Sequence, residues 1–345
     1  SGDYDNDGWK DIFISTMDGE RKLLKNTGAK QKEIIFEDVT KFAGLDKETN
    51  RTFPTWFWDF NNDGWLDIFV CDYSFEKSLA HYAAAEKLAI PEGSPDKMLL
   101  YRNNRDGTFT NIANEVGLNK NVFAMGSNFG DIDNDGYLDM YLGTGNPLYQ
   151  SLIPNKMFKN IEGKKFADVT SSARVGHLQK GHGVSFADMD NDGDQDIYVE
   201  MGGAYPGDAY QNSFFLNPGQ NNNNWICLIL EGSKSNRAAI GSQVKITFRE
   251  NGVSRNVFRE VNSGGSFGSS PLRREIGIGQ AEIIDQIEIR WHGSDETQVF
   301  TGIKPNQFIK IKEGSNEMQP VHLKKVDWIL PNRLCYPVES ITVKK

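Results

Sequence analysis

Hydrophobic residues in this chain come in short runs broken by polar, glycine-rich turns, and the runs recur in a fixed order. Four of them read Asp11-Ile-Phe-Ile, Asp67-Ile-Phe-Val, Asp139-Met-Tyr-Leu and Asp196-Ile-Tyr-Val. They are brief, apolar, and rich in β-branched and aromatic residues, which suits strands covered on both faces. Upstream of three of these runs lies another apolar segment, Thr52 to Trp58, Phe123 to Gly130 and Gly183 to Ala187. Downstream comes a third pattern, Leu23-Leu-Lys-Asn, Leu99-Leu-Tyr-Arg-Asn, Met157-Phe-Lys-Asn and Phe214-Phe-Leu-Asn. A fourth reads Phe36-Glu-Asp-Val-Thr, Phe109-Thr-Asn-Ile-Ala and Phe166-Ala-Asp-Val-Thr. Four short antiparallel strands per unit predict the blade of a β-propeller. The units begin at Asp3, Asp59, Asp131 and Asp188, which are 56, 72 and 57 residues apart, a period in the propeller and solenoid range. The extra length of the second unit holds Leu79-Ala-His-Tyr-Ala-Ala-Ala-Glu-Lys-Leu, a predicted helix that Pro91 ends. No strand precedes Asp3, so a larger ring is expected, with upstream blades or a partner segment completing it.

The pattern changes after the polar run at Asn221 to Asn224. From there apolar and polar residues alternate, as on strands with one wet face. Strands are predicted at Trp225 to Leu230, Val244 to Arg249, Arg255 to Val261, Arg274 to Ile278, Ile287 to Trp291, Thr297 to Thr301 and Gln307 to Lys312. Asn251-Gly252 is a strong hairpin signal. The chain is therefore expected to be all-β: propeller blades over 1–220, a small β-sandwich or open barrel over 221–313, and a C-terminal tail over 314–345.

Each unit opens on one acidic phrase, D-x-[DN]-x-D-G-x-x-D. Oxygen side chains at positions 1, 3, 5 and 9, with a glycine turn at 6, suit a hard divalent cation that takes six to eight oxygens. The predicted side-chain ligands are Asp3, Asp5, Asp7 and Asp11; Asp59, Asn61, Asp63 and Asp67; Asp131, Asp133, Asp135 and Asp139; and Asp188, Asp190, Asp192 and Asp196. A backbone carbonyl is assigned to position 7, at Trp9, Trp65, Tyr137 and Asp194. About four Ca2+ ions are expected, one per loop, the second being the weakest because Asn61 is neutral. An EF-hand is excluded, since position 12 is Ile14, Val70, Leu142 or Val199 and a strand follows where a helix should. One Asp-Gly run alone could be an ordinary solvated turn; four at matched positions argue for metal. Lysine ammoniums filling the clusters in place of a cation would overturn that reading.

Composition sharpens the picture. Net charge is -9, and the predicted side-chain ligands supply fifteen of the 47 acids; four bound Ca2+ would bring the formal charge to -1. No basic stripe suggests nucleic acid, and no apolar run approaches a membrane-spanning length of about 18 residues. Cys71, Cys227 and Cys335 are too scattered for a disulfide framework or zinc site. Open loops of this kind bind calcium at about 0.1 to 1 mM, which suits extracellular fluid or the cell envelope. No catalytic residues are assigned. Gly264-Gly-Ser266-Phe-Gly268 satisfies G-x-S-x-G, but Pro271 and a strand pattern follow where a nucleophile elbow needs a helix.

The acidic units resemble the FG-GAP and VCBS repeats of integrin-alpha-like calcium propellers. The later segments Ser235-Asn-Arg-Ala-Ala-Ile-Gly, Ser263-Gly-Gly-Ser-Phe, Ile276-Gly-Ile-Gly and Ile289-Arg-Trp-His-Gly resemble the ASPIC/UnbV domain of the cartilage acidic protein family, with His292 where that family usually has proline. The resemblance implies a secreted or envelope-exposed calcium protein that docks a protein partner, calcium being structural. A glycan-binding or glycan-processing propeller is the alternative; its cleft would collect aromatics such as Trp9 or Trp65 and carboxylates not engaged by metal.

Overall fold

The computed structural model describes residues 1–30, 33–73, 79–88, 97–145, 153–203, 206–219, 222–294 and 296–328. The repeating units form four antiparallel sheets. The first comprises β1 (Ile12–Ser15), β2 (Arg21–Lys30) and β3 (Glu33–Asp38), with an isolated bridge from Gly2 to Asp11. The second runs β4 (Thr52–Trp58), β5 (Asp67–Asp72), β6 (Leu99–Asn103) and β7 (Phe109–Asn111), with helix α1 (Leu79–Lys87) between β5 and β6. The third runs β8 (Ala124–Gly130), β9 (Asp139–Thr144), β10 (Lys156–Ile161) and β11 (Lys165–Asp168). The fourth comprises β12 (Gly181–Ala187), β13 (Asp196–Met201) and β14 (Ser213–Phe215). Each matches the expected strand order, and α1 falls on the predicted helical insertion; Pro91 lies outside the described residues.

Consecutive sheets pack face to face, which explains the unbroken apolar runs. β5 and β9 are buried along their whole length. Phe13 and Leu23 of the first blade meet Phe57, Ile68 and Tyr101 of the second. Trp56, Trp58 and Phe69 meet Phe129, Met140 and Phe158 across the next interface. Tyr141 and Met157 then meet Phe186 and Ile197. The outer strand β3 is exposed throughout. Among the described residues, no hydrophobic cluster joins the fourth sheet to the first.

The remaining strands are β15 (Trp225–Glu231), β16 (Gln243–Glu250), β17 (Val253–Glu260), β18 (Arg274–Gly277), β19 (Ile284–Arg290), β20 (Thr297–Ile303), β21 (Gln307–Lys312) and β22 (Met318–Val321). They form two sheets, β18-β15-β21-β22 and β17-β16-β19-β20. The alternation of Val244, Ile246 and Phe248 on β16 puts them in one core with Ile226, Leu228, Ile287, Ile289 and Trp291. Of the two expected forms this is the sandwich, and it includes β22 from the tail, which pairs with β21. Asn251 and Gly252 both have positive φ, 51° and 80°, as the two-residue β16–β17 hairpin requires.

The sandwich domain reaches into the blades through residues 263–270, the link from β17 to β18. Ser266 and Ser127 of β8 exchange backbone hydrogen bonds of 2.7 and 2.8 Å, and the Val184 N–H of β12 donates to the Phe267 carbonyl at 3.0 Å. A β-carbon on Gly265 would stand 2.2 Å from the Ser127 carbonyl oxygen, so only glycine permits the approach. The Ser266 of the G-x-S-x-G sequence thus sits in a β-bridge on a strand-to-strand tongue.

Candidate metal centre

The four acidic loops share one geometry. At position 4 an asparagine adopts the left-handed conformation, with φ of 58° at Asn6, 56° at Asn62, 54° at Asn134 and 60° at Asn191, a region asparagine tolerates better than most residues. The chain then wraps around the position-1 carboxylate. Asp3 accepts hydrogen bonds from the N–H groups of Asp7 (3.1 Å) and Gly8 (3.0 Å), Asp59 from Asp63 (3.0 Å) and Gly64 (2.7 Å), and Asp188 from Asp192 and Gly193 (both 3.0 Å). Asp131 accepts only the Gly136 N–H of its own loop, at 3.0 Å. Position 5 accepts the N–H of position 7: Trp9 to Asp7 (2.9 Å), Trp65 to Asp63 (2.9 Å), Tyr137 to Asp135 (2.8 Å) and Asp194 to Asp192 (3.1 Å). This folds the carbonyl-bearing residue back beside the carboxylates.

Position 9 ties each loop to its blade's third strand, which is β2 in the first blade, where the Gly2 bridge stands first, and β6, β10 and β14 in the others, Asn217 lying two residues past β14. Asp11 accepts from the Asn26 N–H (2.8 Å), Asp67 from Asn103 (2.9 Å), Asp139 from Asn160 (2.7 Å) and Asp196 from Asn217 (2.8 Å). Ligand atoms of Asp3, Asp5 and Asp11 lie within 4.8 Å of one another, as do those of Asp131, Asp133 and Asp139 and of Asp188, Asp190 and Asp192. Asn61 leaves the second loop without such an all-acid triad.

The oxygens fit a hard cation. Three buried acceptors in the loops, Asn61 Oδ1, Asp67 Oδ2 and Asp131 Oδ1, have no hydrogen-bond partner among the described residues. Leaving such an atom unpaired costs about 1 to 3 kcal/mol, and oxygen-only donors are what Ca2+ takes. Burial, with the neighbouring carboxylates adding to it, raises the proton affinity of the buried loop aspartates. Asp11, Asp59 and Asp188 are pushed up to about 7 and Asp196 to about 6, while Asp67, Asp131 and Asp139 are also raised. Basic side chains sit on the rim of every loop. Lys25 bonds to Asp5 and approaches Asp7 at 3.5 Å, Arg105 meets Asp63 at 2.9 Å, Lys159 bonds to Asp133 and approaches Asp135 at 3.8 Å, and Lys325 meets Asp192 at 3.2 Å. These cations touch the outer carboxylates at positions 3 and 5. They leave the three orphaned oxygens unsatisfied, so they do not replace a cation there.

Two features of the site are long-range and have no local sequence signal. The asparagine closing each third strand donates through Nδ2 to its own loop and, in three blades, to the preceding one. Asn103 reaches Leu66 O (3.0 Å) and Tyr4 O (2.7 Å), Asn160 reaches Leu138 O (3.1 Å) and Phe60 O (2.8 Å), and Asn217 reaches Gln195 O (3.1 Å) and Ile132 O (2.7 Å). Its recurrence in the third pattern was the available clue. The position-4 asparagines run the other way, Asn6 to Gly64 O (3.1 Å), Asn62 to Gly136 O (2.7 Å) and Asn134 to Gly193 O (3.1 Å).

The second feature is that the sandwich domain lies on the loops. Arg259, buried, donates to Asp131 Oδ2 (3.4 Å), Gly136 O (3.0 Å) and Asn62 Oδ1 (3.3 Å), and the Gly277 N–H donates to Asp131 at 3.1 Å. Glu275 accepts the Asp188 N–H at 3.2 Å, and Lys10 pairs with Glu260 at 2.7 Å. A cavity of about 310 Å³ remains between the two domains, walled by Trp58, Phe129 and Phe258 and by paired charges such as Arg273 and Glu275. Trp9, 45% exposed, lies over Gly28 of its own blade. His182 lies on β12, with its ring beside Gly203.

Blade-like sheets in sequence order, each entered through an oxygen-lined loop and capped by a sandwich domain, define a propeller-repeat protein. Residues 3–70 and 85–142 match the FG-GAP-like repeat family, and residues 232–318 match the ASPIC and UnbV family. The chain is thus a protein of FG-GAP-like repeats joined to an ASPIC and UnbV domain. It is similar to Cartilage acidic protein 1 of Xenopus tropicalis, 26% identical over 196 residues that cover 49% of this chain and 29% of that protein. The chain therefore spans well under half the length of this curated relative. Repeats and relative together point to an extracellular β-propeller-like interaction module. No helix among the described residues is long and apolar enough to cross a membrane.

Proposed function

We propose that this chain is a calcium-stabilised, secreted or surface-exposed docking module for a protein partner, with calcium structural and one ion per loop. Asp3, Asp5, Asp7 and Asp11 and their counterparts in the other loops would hold the ions. The observation that carries the reading is the set of buried oxygens in the second and third loops, Asn61 Oδ1, Asp67 Oδ2 and Asp131 Oδ1, that have no hydrogen-bond partner among the described residues.

When bound, calcium supplies charge cancellation and oxygen coordination. The chain's own residues do the rest. Position-9 aspartates hold each loop to its third strand, the asparagines staple each loop to its neighbours, and Arg259, Gly277 and Glu275 seat the sandwich domain on the loops. A dissociation constant of about 0.1 to 1 mM in about 1 to 2 mM extracellular calcium gives roughly 0.4 to 1.8 kcal/mol per site. Over four sites that is about 2 to 7 kcal/mol, comparable with the net stability of a domain. Affinity capture from extracellular fluid in calcium and in chelator, paired with a glycan array, tests the docking claim. The expected result is a protein partner retained only in calcium. Sugar binding with no protein partner would replace it with the glycan reading.

A further inference from the structure

In the first and third blades, the cation on the loop rim comes from the residue just before the third-strand asparagine: Lys25 before Asn26, Lys159 before Asn160. In the second blade Arg105, two residues past Asn103, takes that place. The fourth blade has Leu216 before Asn217 and so lacks such a charge. Its cation arrives from the far end of the chain. Lys325 Nζ stands 3.2 Å from Asp192 Oδ2, the Val326 N–H donates to the Asp190 carbonyl at 2.8 Å, and Asn191 Nδ2 donates to the Lys324 carbonyl at 3.0 Å. The last bond repeats, with the tail as acceptor, what Asn6, Asn62 and Asn134 do with the next loop's glycine. Trp328 packs edge-on against Phe214 of β14, ring centroids 5.3 Å apart, and completes the seat.

We propose that residues 324–328 are a strap on the fourth loop, and that calcium in this loop and the seated strap oppose each other through Lys325. This rests on the calcium reading above and adds regulation to one of its sites. Asp192 is a position-5 ligand whose second oxygen is taken by the Lys325 ammonium. Two positive charges sharing one water-facing carboxylate at physiological salt weaken each other's binding by about three- to tenfold. Linkage makes the effect reciprocal: the factor by which the ammonium lowers calcium affinity is the factor by which calcium favours opening of the strap. Blades one to three carry their rim cation on the blade itself, where nothing can swing away. Among the described loops, the fourth takes its rim cation from a segment distant in sequence, residues 324–328, so its occupancy can be passed on as exposure of that segment.

The test uses the full chain. Calcium titration by calorimetry is compared for the wild type and Lys325→Met, and amide hydrogen exchange at Val326 is measured in calcium and in chelator. The expected result is one binding constant tightened about three- to tenfold in the variant and Val326 exchange accelerated by the same factor when calcium is added to the wild type. Asp190→Ala, which removes the position-3 oxygen that Asn61 still supplies in the second loop, should abolish that acceleration. Calcium binding with unchanged affinity in Lys325→Met, or Val326 exchange indifferent to calcium, overturns the strap while leaving the metal sites standing. Absence of calcium binding in both proteins overturns the strap and the calcium reading together.

Discussion

Asn160→Ala isolates the staple between the second and third blades. Its side chain is fully buried and makes three hydrogen bonds: to Phe60 O at 2.8 Å, to Leu138 O at 3.1 Å, and from the Gly163 N–H at 2.9 Å. Truncation removes all three and leaves two carbonyls short of a donor in a site that water does not reach. A neutral hydrogen bond contributes about 1 kcal/mol net, and a stranded buried group costs about 1 to 3 kcal/mol. Some of these carbonyls will recover part of that by relaxing, so the expected loss is about 3 to 5 kcal/mol. At about 2 to 3 °C per kcal/mol for a protein of this size, the melting temperature falls by about 6 to 15 °C. Differential scanning calorimetry in millimolar calcium is the appropriate assay, because saturated loops separate the staple from the metal. Asn104→Ala, which removes two exposed bonds, to Thr108 and from the Thr110 hydroxyl, one residue from the neighbouring staple, is the control and should shift stability by less than about 0.5 kcal/mol. An Asn160→Ala protein that melts with the wild type would refute the idea that these asparagines hold blade to blade.

Two further outcomes follow from the loop electrostatics. Asp11, Asp59 and Asp188 sit at about 7 in the folded chain, above the ordinary aspartate value of about 4. The folded state therefore binds more protons than the unfolded one between those pH values, so stability in chelator falls as pH rises from 5 to 8. Thermal melts across that range check the sign; a metal-free protein that gains stability with pH has other groups in control. Arg259→Met removes the buried guanidinium from Asp131 and Gly136. In chelator this should cost about 3 to 5 kcal/mol, and less in millimolar calcium, where the ion takes over the charge of Asp131; equal losses in both conditions would show that Arg259 and the loop are not coupled.

Much of this was legible in the sequence because it is local. A strand's apolar run, a D-x-D-x-D-G loop and an Asn-Gly hairpin each carry their cause within about ten residues, and Thr52–Trp58, the four loops and the Asn251-Gly252 turn stand where the pattern put them. What stayed hidden depends on partners far along the chain. Nothing near Asn160 says that it reaches Phe60, 100 residues away, or that Asn191 meets Lys324 at a separation of 133. The tongue at Gly265 was visible as a glycine-rich link, but the backbone it must approach, at Ser127, was not. The rim lysines are charges that periodicity treats as solvated. Cys335 and the chain beyond Trp328 lie outside the described residues.

The central claim is that the acidic loops take up calcium and that the fold leans on it. Scanning calorimetry of the same protein in 2 mM calcium and in excess chelator at constant pH tests it most directly. A gain of about 2 to 7 kcal/mol from calcium raises the melting temperature by about 4 to 21 °C, with about four ions bound per chain. A melting temperature that does not move on chelation, with no heat of calcium binding, would mean that the loops are held by Lys25, Arg105, Lys159 and Lys325 alone.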